Sequence, residues 1–237
     1  MCLVRALLAM SLAVLVLPFA ATTVAASASA RLASSGEAAE TPDQILADSV
    51  KAALAARSVR IVARVVSGGT SLSFNLSLLA GSGGKGEVTQ SGLSFSLVRI
   101  GGEAYFDASP AFWRHYAGTL AATLLEGHWI EASATRGDLA SFTPLTDLAA
   151  FIKQVLGSHG VLKLGAPSRV DNRSAIALTD TTKGGTLYIA ASGPPYPLKI
   201  TPPKGQEGSV SFENWNGSVT LTRPAHAIPY SEFIHHG

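Results

Sequence analysis

Cysteine is almost absent from this chain of 237 residues, since Cys2 is the only one. A single cysteine excludes an intramolecular disulfide, and its position near the start excludes a thiolate metal site or a cysteine nucleophile in the rest of the chain. Stability must therefore come from an ordinary hydrophobic core. The chain beyond residue 30 is long enough to bury one.

Charge is also scarce, because only 14% of the residues are Asp, Glu, Lys or Arg. The 18 basic and 16 acidic residues nearly cancel. Nucleic-acid binding needs a clustered basic surface. Nucleic acid is therefore excluded as an expected partner.

Catalytic and metal-binding motifs are lacking as well. The six histidines are scattered, and neither His-Glu-x-x-His nor Gly-x-Ser-x-Gly occurs. Residues 81–86 satisfy the phosphate-binding pattern Gly-x-Gly-x-x-Gly, but the residues after them favour a strand, where that site needs a helix. A hairpin turn is therefore predicted at 81–86. For the chain as a whole, the sequence predicts no catalytic residue, no metal ligand and no cofactor, and we expect it not to be an enzyme.

The first residues carry the features of an export signal. A basic start at Arg5 is followed by an apolar run and then by small residues, which predicts a secretory signal peptide over 1–30 with cleavage after Ala26, Ala28 or Ala30. The alternative is an uncleaved membrane anchor, because the apolar run nearly reaches the roughly 20 residues that span a bilayer. The protein is thus expected to be exported to the periplasm, the cell envelope or the medium, or to be retained by that anchor.

Beyond the signal, the composition divides the chain into three parts. Residues 31–40 are small, polar and patternless and predict a flexible leader, 41–224 predict a single domain, and 225–237 predict a disordered tail. The domain opens with Thr41 as a helix N-cap, followed by Pro42 and by Gln44 three residues after the cap. This first helix is expected to end near Arg57.

Period-two alternation dominates the domain. Between residues 71 and 78, large apolar residues alternate with Ser and Asn, and the pattern recurs at 93–98, 209–212 and 219–222. Successive side chains of a strand point to opposite faces, so this pattern gives a sheet one apolar and one polar face. Glycine-rich turns at 68–69, 81–86 and 101–102 favour an antiparallel meander.

Two further helices are predicted between the strands. The first follows Ser109-Pro110 and stops at Gly127, and its apolar stripe consists of Phe112, Tyr116, Leu120 and Leu124. The second runs from Thr143-Pro144 to Gly157 and has a continuous apolar face. The predicted fold class is α+β: a twisted antiparallel half-open β-barrel wrapped around about three helices.

Four short elements, in this order, resemble the LolA/LolB-like lipoprotein carriers, and most closely the actinobacterial lipid-carrying lipoproteins of the LppX/LprG type. They are Ile100 to Phe106, Gly127 to Ile130, Tyr196 to Ile200 and Phe212 to Asn216. The similarity extends over 41–224. His128 stands where that group usually has lysine, and the acylated cysteine of the lipoproteins is absent.

The resemblance implies a non-catalytic protein that holds a lipid or acylated molecule between the sheet and the helices. Exposing an acyl chain of about 16 carbons to water costs on the order of 13 kcal/mol, at about 0.8 kcal/mol per methylene. A carrier or chaperone at the cell envelope would therefore need an apolar cavity and only transient contact with a membrane surface. The candidate cavity residues are Leu72, Phe74, Leu76, Phe95, Leu97, Tyr105, Trp129, Leu198 and Phe212.

For these residues the alternative is an ordinary core without a void. The corresponding alternative function is an envelope sensor or protein-interaction module on the same scaffold, with a filled core and an envelope protein as partner. The oligomeric state is not predicted by the sequence.

Overall fold

The computed structural model describes residues 40–135 and 138–234, with the backbone alone for 138–141, 233 and 234. The predicted signal peptide and nearly all of the predicted leader lie outside the described residues, as do 136–137 and 235–237.

The first helix, α1 (Pro42–Ala55), begins where its capping signal predicts. The Thr41 hydroxyl accepts from the Gln44 N–H at 3.3 Å, and the Gln44 side-chain oxygen accepts from the Thr41 N–H at 2.8 Å. These two bonds form a capping box, which satisfies two donors that a helix start otherwise leaves free.

Three more α-helices follow: α2 (Pro110–Leu125), α3 (Leu148–Leu156) and the single turn α4 (Ser231–Ile234). A 3-10 helix spans Asp138–Leu145. The strands are β1 (Ser58–Ser67), β2 (Thr70–Leu79), β3 (Gly83–Gln90), β4 (Leu93–Ile100), β5 (Glu103–Ala108), β6 (Ile130–Ser133), β7 (Leu162–Leu164), β8 (Ser168–Val170), β9 (Arg173–Asp180), β10 (Thr186–Ala190), β11 (Pro197–Thr201), β12 (Glu207–Glu213) and β13 (Ile228–Pro229).

The described strands form one sheet in the order β13-β6-β5-β4-β3-β2-β1-β12-β11-β10-β9-β7, with β8 also paired to β9. All of its pairings are antiparallel except the parallel pair β13–β6. In this part of the chain the end strands β13 and β7 are not paired with each other, so the sheet is open. The predicted fold class, an open antiparallel-dominated sheet with three main helices, is confirmed.

The strand register places the predicted apolar residues on one face. Phe74 pairs with Val88, and Val88 in turn pairs with Phe95 on the next strand. All three are buried in the main core, together with inward residues of all three main helices. Residues paired across neighbouring strands share a face of the sheet, so the alternating apolar residues lie together on one face, as the pattern predicts.

Aromatic rings fill the core beneath β4 and β5. The centroid of the Phe95 ring lies 5.2 Å from that of Phe106 and 5.2 Å from that of Phe142, and Trp113 lies edge-on 5.6 Å from Phe106. These spacings are those of packed aromatic pairs, each worth about 0.5–1.5 kcal/mol beyond the area it buries. This part of the interior is closed by side chains.

The predicted stripe of α2 holds for only half of the helix. Phe112 is buried and Tyr116 half-buried, but Leu120 and Leu124 are 74% and 59% exposed. Gly118, with φ 87° and ψ 174°, breaks the helical path between these two pairs. After the kink Ala122 and Leu125 face the core instead, so the four-residue period does not continue across the break.

The start of α3 also differs from the prediction. The predicted cap Thr143 and Pro144 lie in the 3-10 helix, and α3 is capped by Asp147, whose carboxylate accepts from the Ala150 N–H at 2.9 Å. Aspartate is as good a cap as threonine, and the 3-10 turn accommodates the proline before it.

Three other segments depart from their predictions. The turn predicted over 81–86 is confined to residues 80–82, and Gly83 to Gly86 pair as strand within β3. Residues 219–222 alternate like a strand but have no strand partner, and the predicted disordered tail contains β13 and α4 within 225–234.

The strand glycines are explained by close packing. A Cβ on Gly84 would lie 2.6 Å from a methyl of Leu78 and 3.1 Å from both the Cα and the carbonyl oxygen of Thr146. Thr146 precedes α3, so glycine at this position lets the start of the helix approach the sheet.

Replacing Gly84 tests this approach. We expect Gly84→Ala to lower the free energy of unfolding by about 1–3 kcal/mol, since the added methyl overpacks against backbone. Gly102→Ala is the matched control, because nothing lies within 4 Å of a Cβ there, and we expect a change within about 0.5 kcal/mol. Urea unfolding measures both; equal effects would contradict the packing explanation.

Candidate functional site

An apolar groove lies where α1 and the end of α3 meet the β9–β11 end of the sheet. One part is a cavity of about 160 Å³ beneath β9, β10 and β11, and the other is a wider space of about 680 Å³ between α1 and the end of α3. Leu46, Leu156 and His159 line both parts, so the two spaces adjoin, and together we call them the groove.

The helix side of the groove comes from the apolar stripe of α1. Leu46, Val50 and Leu54 recur at helical spacing and all line the groove. Leu46 is buried, whereas Val50 and Leu54 are only half-buried although both touch the main core. The stripe of α1 is thus wider than the surface that the sheet and α3 cover.

The sheet side is formed by inward residues of the late strands. Leu178 of β9 is buried, and its neighbours across the sheet, Leu187 of β10 and Ile200 of β11, are half-buried. All three line the groove. Aliphatic side chains therefore form both walls, and an apolar ligand is the class that such a surface accommodates.

The N-terminal end of α3, whose C-terminal end lines the groove, is fixed by one arginine. Arg99, on β4, donates to the Thr146 carbonyl at 2.9 Å and forms an ion pair of 3.1 Å with Asp147, the cap residue of α3. The side chain of Arg99 is 13% exposed, so this pair is shielded from water more than a surface pair.

The C-terminal end of α3 is fixed by Asp180 at the end of β9. Its carboxylate accepts from the N–H groups of Gly160 at 2.6 Å, Lys183 at 2.7 Å and Thr182 at 2.8 Å. Lys183 adds a bond from its ammonium to the Ser158 hydroxyl at 3.0 Å. These bonds hold the chain after α3 against the β9–β10 turn and so set the width of the groove there.

These donors also determine the ionisation of Asp180. Burial acts to raise the pKa of its carboxyl, but the N–H groups of Gly160, Lys183 and Thr182, together with the Lys183 ammonium, outweigh burial and lower the pKa below its usual value. Asp180 is therefore a carboxylate at neutral pH, and the N–H groups of the turn stabilise its charge.

The groove also has polar residues at its margin. Its polar rim includes Asp43, Lys51 and His159, all exposed. Within 40–135 and 138–234, no group of three or more His, Cys, Asp or Glu residues could hold a metal ion. The arrangement can exclude water from an apolar chain and leave a polar end in solvent.

A second, polar hollow of about 330 Å³ lies at β3, β4 and β5. Its lining includes Glu87, Ser96 and Asp107, which pair across the three strands. Burial raises the pKa of Asp107, opposed by a bond from the Ala108 backbone and by the charge of His128. Of the nine predicted cavity residues, Phe95 touches this hollow.

The structure divides the nine predicted cavity residues into two sets. Six contribute to the main core as the alternation predicts, five of them buried and Leu72 half-buried at its margin. They pack against other side chains and do not line the apolar groove. These six are Leu72, Phe74, Leu76, Phe95, Leu97 and Phe212.

Tyr105 was predicted on the inner surface and lies on the opposite face. Its neighbours Ala104 and Phe106 belong to the main core, so alternation turns Tyr105 outward. Its ring is covered by the Arg223 guanidinium, 5.7 Å from the ring centroid, and its hydroxyl donates to Glu131 at 3.3 Å. Burial, and then the charge of Glu131, raise the pKa of this tyrosine.

Leu198 and Trp129 also lie outside the main core. A register shift pairs Tyr188 with Lys199 and then Ile189 with Pro197, so Leu198 is the extra residue of a β-bulge. It packs in a separate small cluster with Val170, Ala175 and Ala190. Trp129 is half-buried just before β6, and its carbonyl accepts from the Ile228 N–H at 2.8 Å.

None of the nine predicted residues lines the apolar groove. The sequence nevertheless indicated part of the groove, through the apolar stripe of α1 and through Val155 and Leu156 on the apolar face of the last predicted helix. The groove residues on β10 and β11 carried a weaker signal, because these strands have five residues each and a proline-containing turn follows each of them.

In the part of the chain that the structure describes, no helix has the length and apolar character needed to cross a bilayer.

No family model and no curated protein matches the chain. Among solved structures, it is similar to LprF from Mycobacterium bovis, with 16% identity over 78% of this chain and 97% of that chain and a TM-score of 0.47. For LppX from Mycobacterium tuberculosis the identity is 16% over 77% of this chain and 100% of that chain, with a TM-score of 0.49. A LolA superfamily protein from Nitrosomonas europaea shows 10% identity over 78% of this chain and 99% of that chain, with a TM-score of 0.27. These are the groups that the sequence resemblance named, at identities too low to transfer a ligand or an activity.

The turn held by Asp180 gives a pH-dependent prediction. A carboxyl with a lowered pKa contributes stability that is present above its unfolded pKa, about 3.9, and is lost as the pH falls through the folded value. At pH 7 we expect Asp180→Asn to be less stable than the wild type by about 1 kcal/mol, the usual worth of such a hydrogen bond. The difference should shrink below about pH 4.

Urea unfolding at pH 7 and at successively lower pH measures this difference. Asp48→Asn, at an exposed position on α1, is the control and should leave stability nearly unchanged. A deficit of Asp180→Asn that stays constant down to pH 2.5, well below about 3.9, would contradict the role given to the charge.

Proposed function

We propose that this protein is an exported, non-catalytic carrier or chaperone that holds a lipid or another acylated molecule in its apolar groove at the cell envelope. The observation that supports this proposal most directly is the groove itself, which is lined by aliphatic side chains of α1, α3 and the late strands and is open to solvent.

Elementary energetics favours this occupant. A cavity of about 150 Å³ lined by aliphatic side chains accommodates a molecule the size of benzene, so the inner part of the groove, about 160 Å³, suits the end of one acyl chain. The outer part, about 680 Å³, falls in the range of ordinary ligand sites, roughly 300–1,000 Å³. Each methylene that enters gains about 0.8 kcal/mol relative to water.

The role proposed for the groove needs no reacting group. Asp180 is held by three backbone donors, and Lys183 donates to Ser158, so the strongest electrostatic interactions near the groove are structural. Exchange of a lipid with a membrane is nearly neutral in free energy when both environments are equally apolar. Such a transfer therefore needs a path between the groove and the membrane and no chemical step.

The six core residues predicted as cavity wall take a different part in this proposal. They form the closed interior beside the groove and keep the sheet curved around the helices. A guest longer than the groove would meet them only by displacing packed side chains, among them Phe74, which lies edge-on 6.0 Å from the ring of Phe151 on α3.

A second candidate function is favoured by that closed interior. The aromatic cluster of Phe95, Phe106, Phe112 and Phe142 fills the space beneath β4 and β5. A filled core is what an envelope sensor or protein-interaction module on this scaffold would have. In that case the protein would bind an envelope protein and carry no lipid.

Native mass spectrometry of the full chain, purified from its own producing cells without detergent, separates the two. A carrier is expected to show additional mass that organic solvent removes and that the solvent extract identifies as an acylated molecule. A ligand-free chain that also fails to take up an added fatty acid would refute the carrier and leave the sensor.

A groove-filling substitution gives the sharper test. Ala47 is an exposed residue of α1 that lines the groove, so Ala47→Trp places an indole in the ligand path without touching the core. Displacing about two methylenes of the ligand should cost about 1.6 kcal/mol, or roughly tenfold in the dissociation constant of a fluorescent fatty acid.

Ala149→Trp is the matched control, because Ala149 is an exposed helical alanine on α3 that is not part of the groove lining. It should bind the fatty acid as the wild type does. Equal affinities for all three proteins would place any ligand elsewhere than in this groove.

A further inference from the structure

The edge strand β7 leaves apolar side chains in water next to the groove. Val161 is 63% exposed and Leu164 is 51% exposed, whereas Leu162 between them is half-buried and lines the groove. Val161 and Leu164 lie three positions apart, so alternation turns them to opposite sides of this edge, and both leave apolar surface in water. We call Val161, Lys163 and Leu164 the β7 edge.

The β7 edge continues the apolar surface of the groove. Leu164 pairs with Leu178 across the sheet, and Leu178 is a groove residue. Residues that pair directly share a face, so Leu164 extends the same apolar face outward to the sheet margin. A ligand that leaves the groove along this wall meets the β7 edge first.

We propose that the β7 edge docks the protein on an anionic lipid bilayer, with Val161 and Leu164 inserted among the lipids and the groove opening toward them. This inference rests on the proposed carrier function and adds the surface through which the carrier exchanges its ligand.

The charges around the groove suit an anionic surface. Lys163 lies on β7, Lys51 and His159 line the groove, and the Lys183 ammonium lies 3.0 Å from the Ser158 hydroxyl beside it. The acidic groups there are Asp43 and Asp180, so the three lysines outnumber the two carboxylates. Lysine near an anionic membrane surface adds attraction to the insertion of apolar groups.

A protein partner fits this edge less well than a bilayer. A partner strand would need a long unbroken edge, but β7 has three residues, and the ladder along β9 is interrupted around Pro167, which has no N–H, before β8 continues it. Two partly exposed aliphatic side chains are far from the area of about 1,200 Å² that a stable protein interface buries. A bilayer requires neither a complementary shape nor a minimum area.

Vesicle co-sedimentation of the full chain tests the inference. The wild type should bind phosphatidylcholine vesicles containing phosphatidylglycerol more tightly than vesicles of phosphatidylcholine alone. V161D/L164D should bind the anionic vesicles at least about tenfold more weakly, because each apolar side chain that leaves hydrocarbon costs about a factor of ten. V161S/L164S, which removes apolar surface without adding charge, should weaken binding in the same direction.

The chain offers a matched control in L120D/L124D, which alters a pair of leucines that are 74% and 59% exposed on α2, outside the groove. This variant should bind vesicles as the wild type does. The inference is overturned if L120D/L124D loses binding while V161D/L164D keeps it, if neither variant differs from the wild type, or if the wild type does not bind vesicles. It is also overturned if the β7 variants change only a concentration-dependent self-association seen by sedimentation velocity.

Fatty-acid binding in vesicle-free buffer, measured on the same proteins, separates this inference from the proposed function. V161D/L164D that still binds the fatty acid but not vesicles supports both. A wild type that binds the fatty acid but not vesicles contradicts the docking surface alone. A wild type that binds no fatty acid contradicts the carrier function, whatever its affinity for vesicles.

Discussion

The structure depends on one requirement, which is that the apolar face of a large antiparallel sheet must be covered. Alternating side chains on the strands from β1 through β6, and on β9, β10 and β12, all point toward the same interior. The helices supply the cover: α2 lies over the early strands, α1 lies toward the late ones, and α3 runs from the early strands to the groove. Where this cover is complete the core is aromatic and closed, and where it ends half-buried aliphatic residues such as Val50 and Leu187 form the groove.

Polar interactions decide where the cover ends. Arg99 holds the start of α3 through Thr146 and Asp147, and Asp180 holds the residues after its end. A short helix of nine residues contributes little stability by itself and stays in place because its apolar face is buried in the core and both of its ends are tied to the sheet. The groove is thus bounded by a helix whose two ends are held by polar contacts.

The parts of the fold that local chemistry controls could be read from the sequence. The capping box at Thr41 and the cap at Ser109 start helices as predicted, since a cap needs only residues three positions apart. Leu76 and Phe95 face the core because alternation needs only their own strands. The candidate site was less accessible to this reasoning. Tyr105 sits one residue out of phase with the inward set, and Leu198 is displaced by a bulge that depends on how β10 and β11 pair.

By itself, the sequence determined the fold class, the apolar face of the sheet and the starts of α1 and α2, because each follows from interactions between residues close along the chain. Only the tertiary structure decided that Gly83 to Gly86 pair as strand, that α2 turns Leu120 and Leu124 to solvent after Gly118, and that the cover stops short at the β9–β11 end. These features depend on contacts between residues far apart in sequence, such as Gly84 with Thr146 and Gly160 with Asp180. A one-dimensional pattern carries no information about which distant segment will fill, or leave open, a given part of the interior.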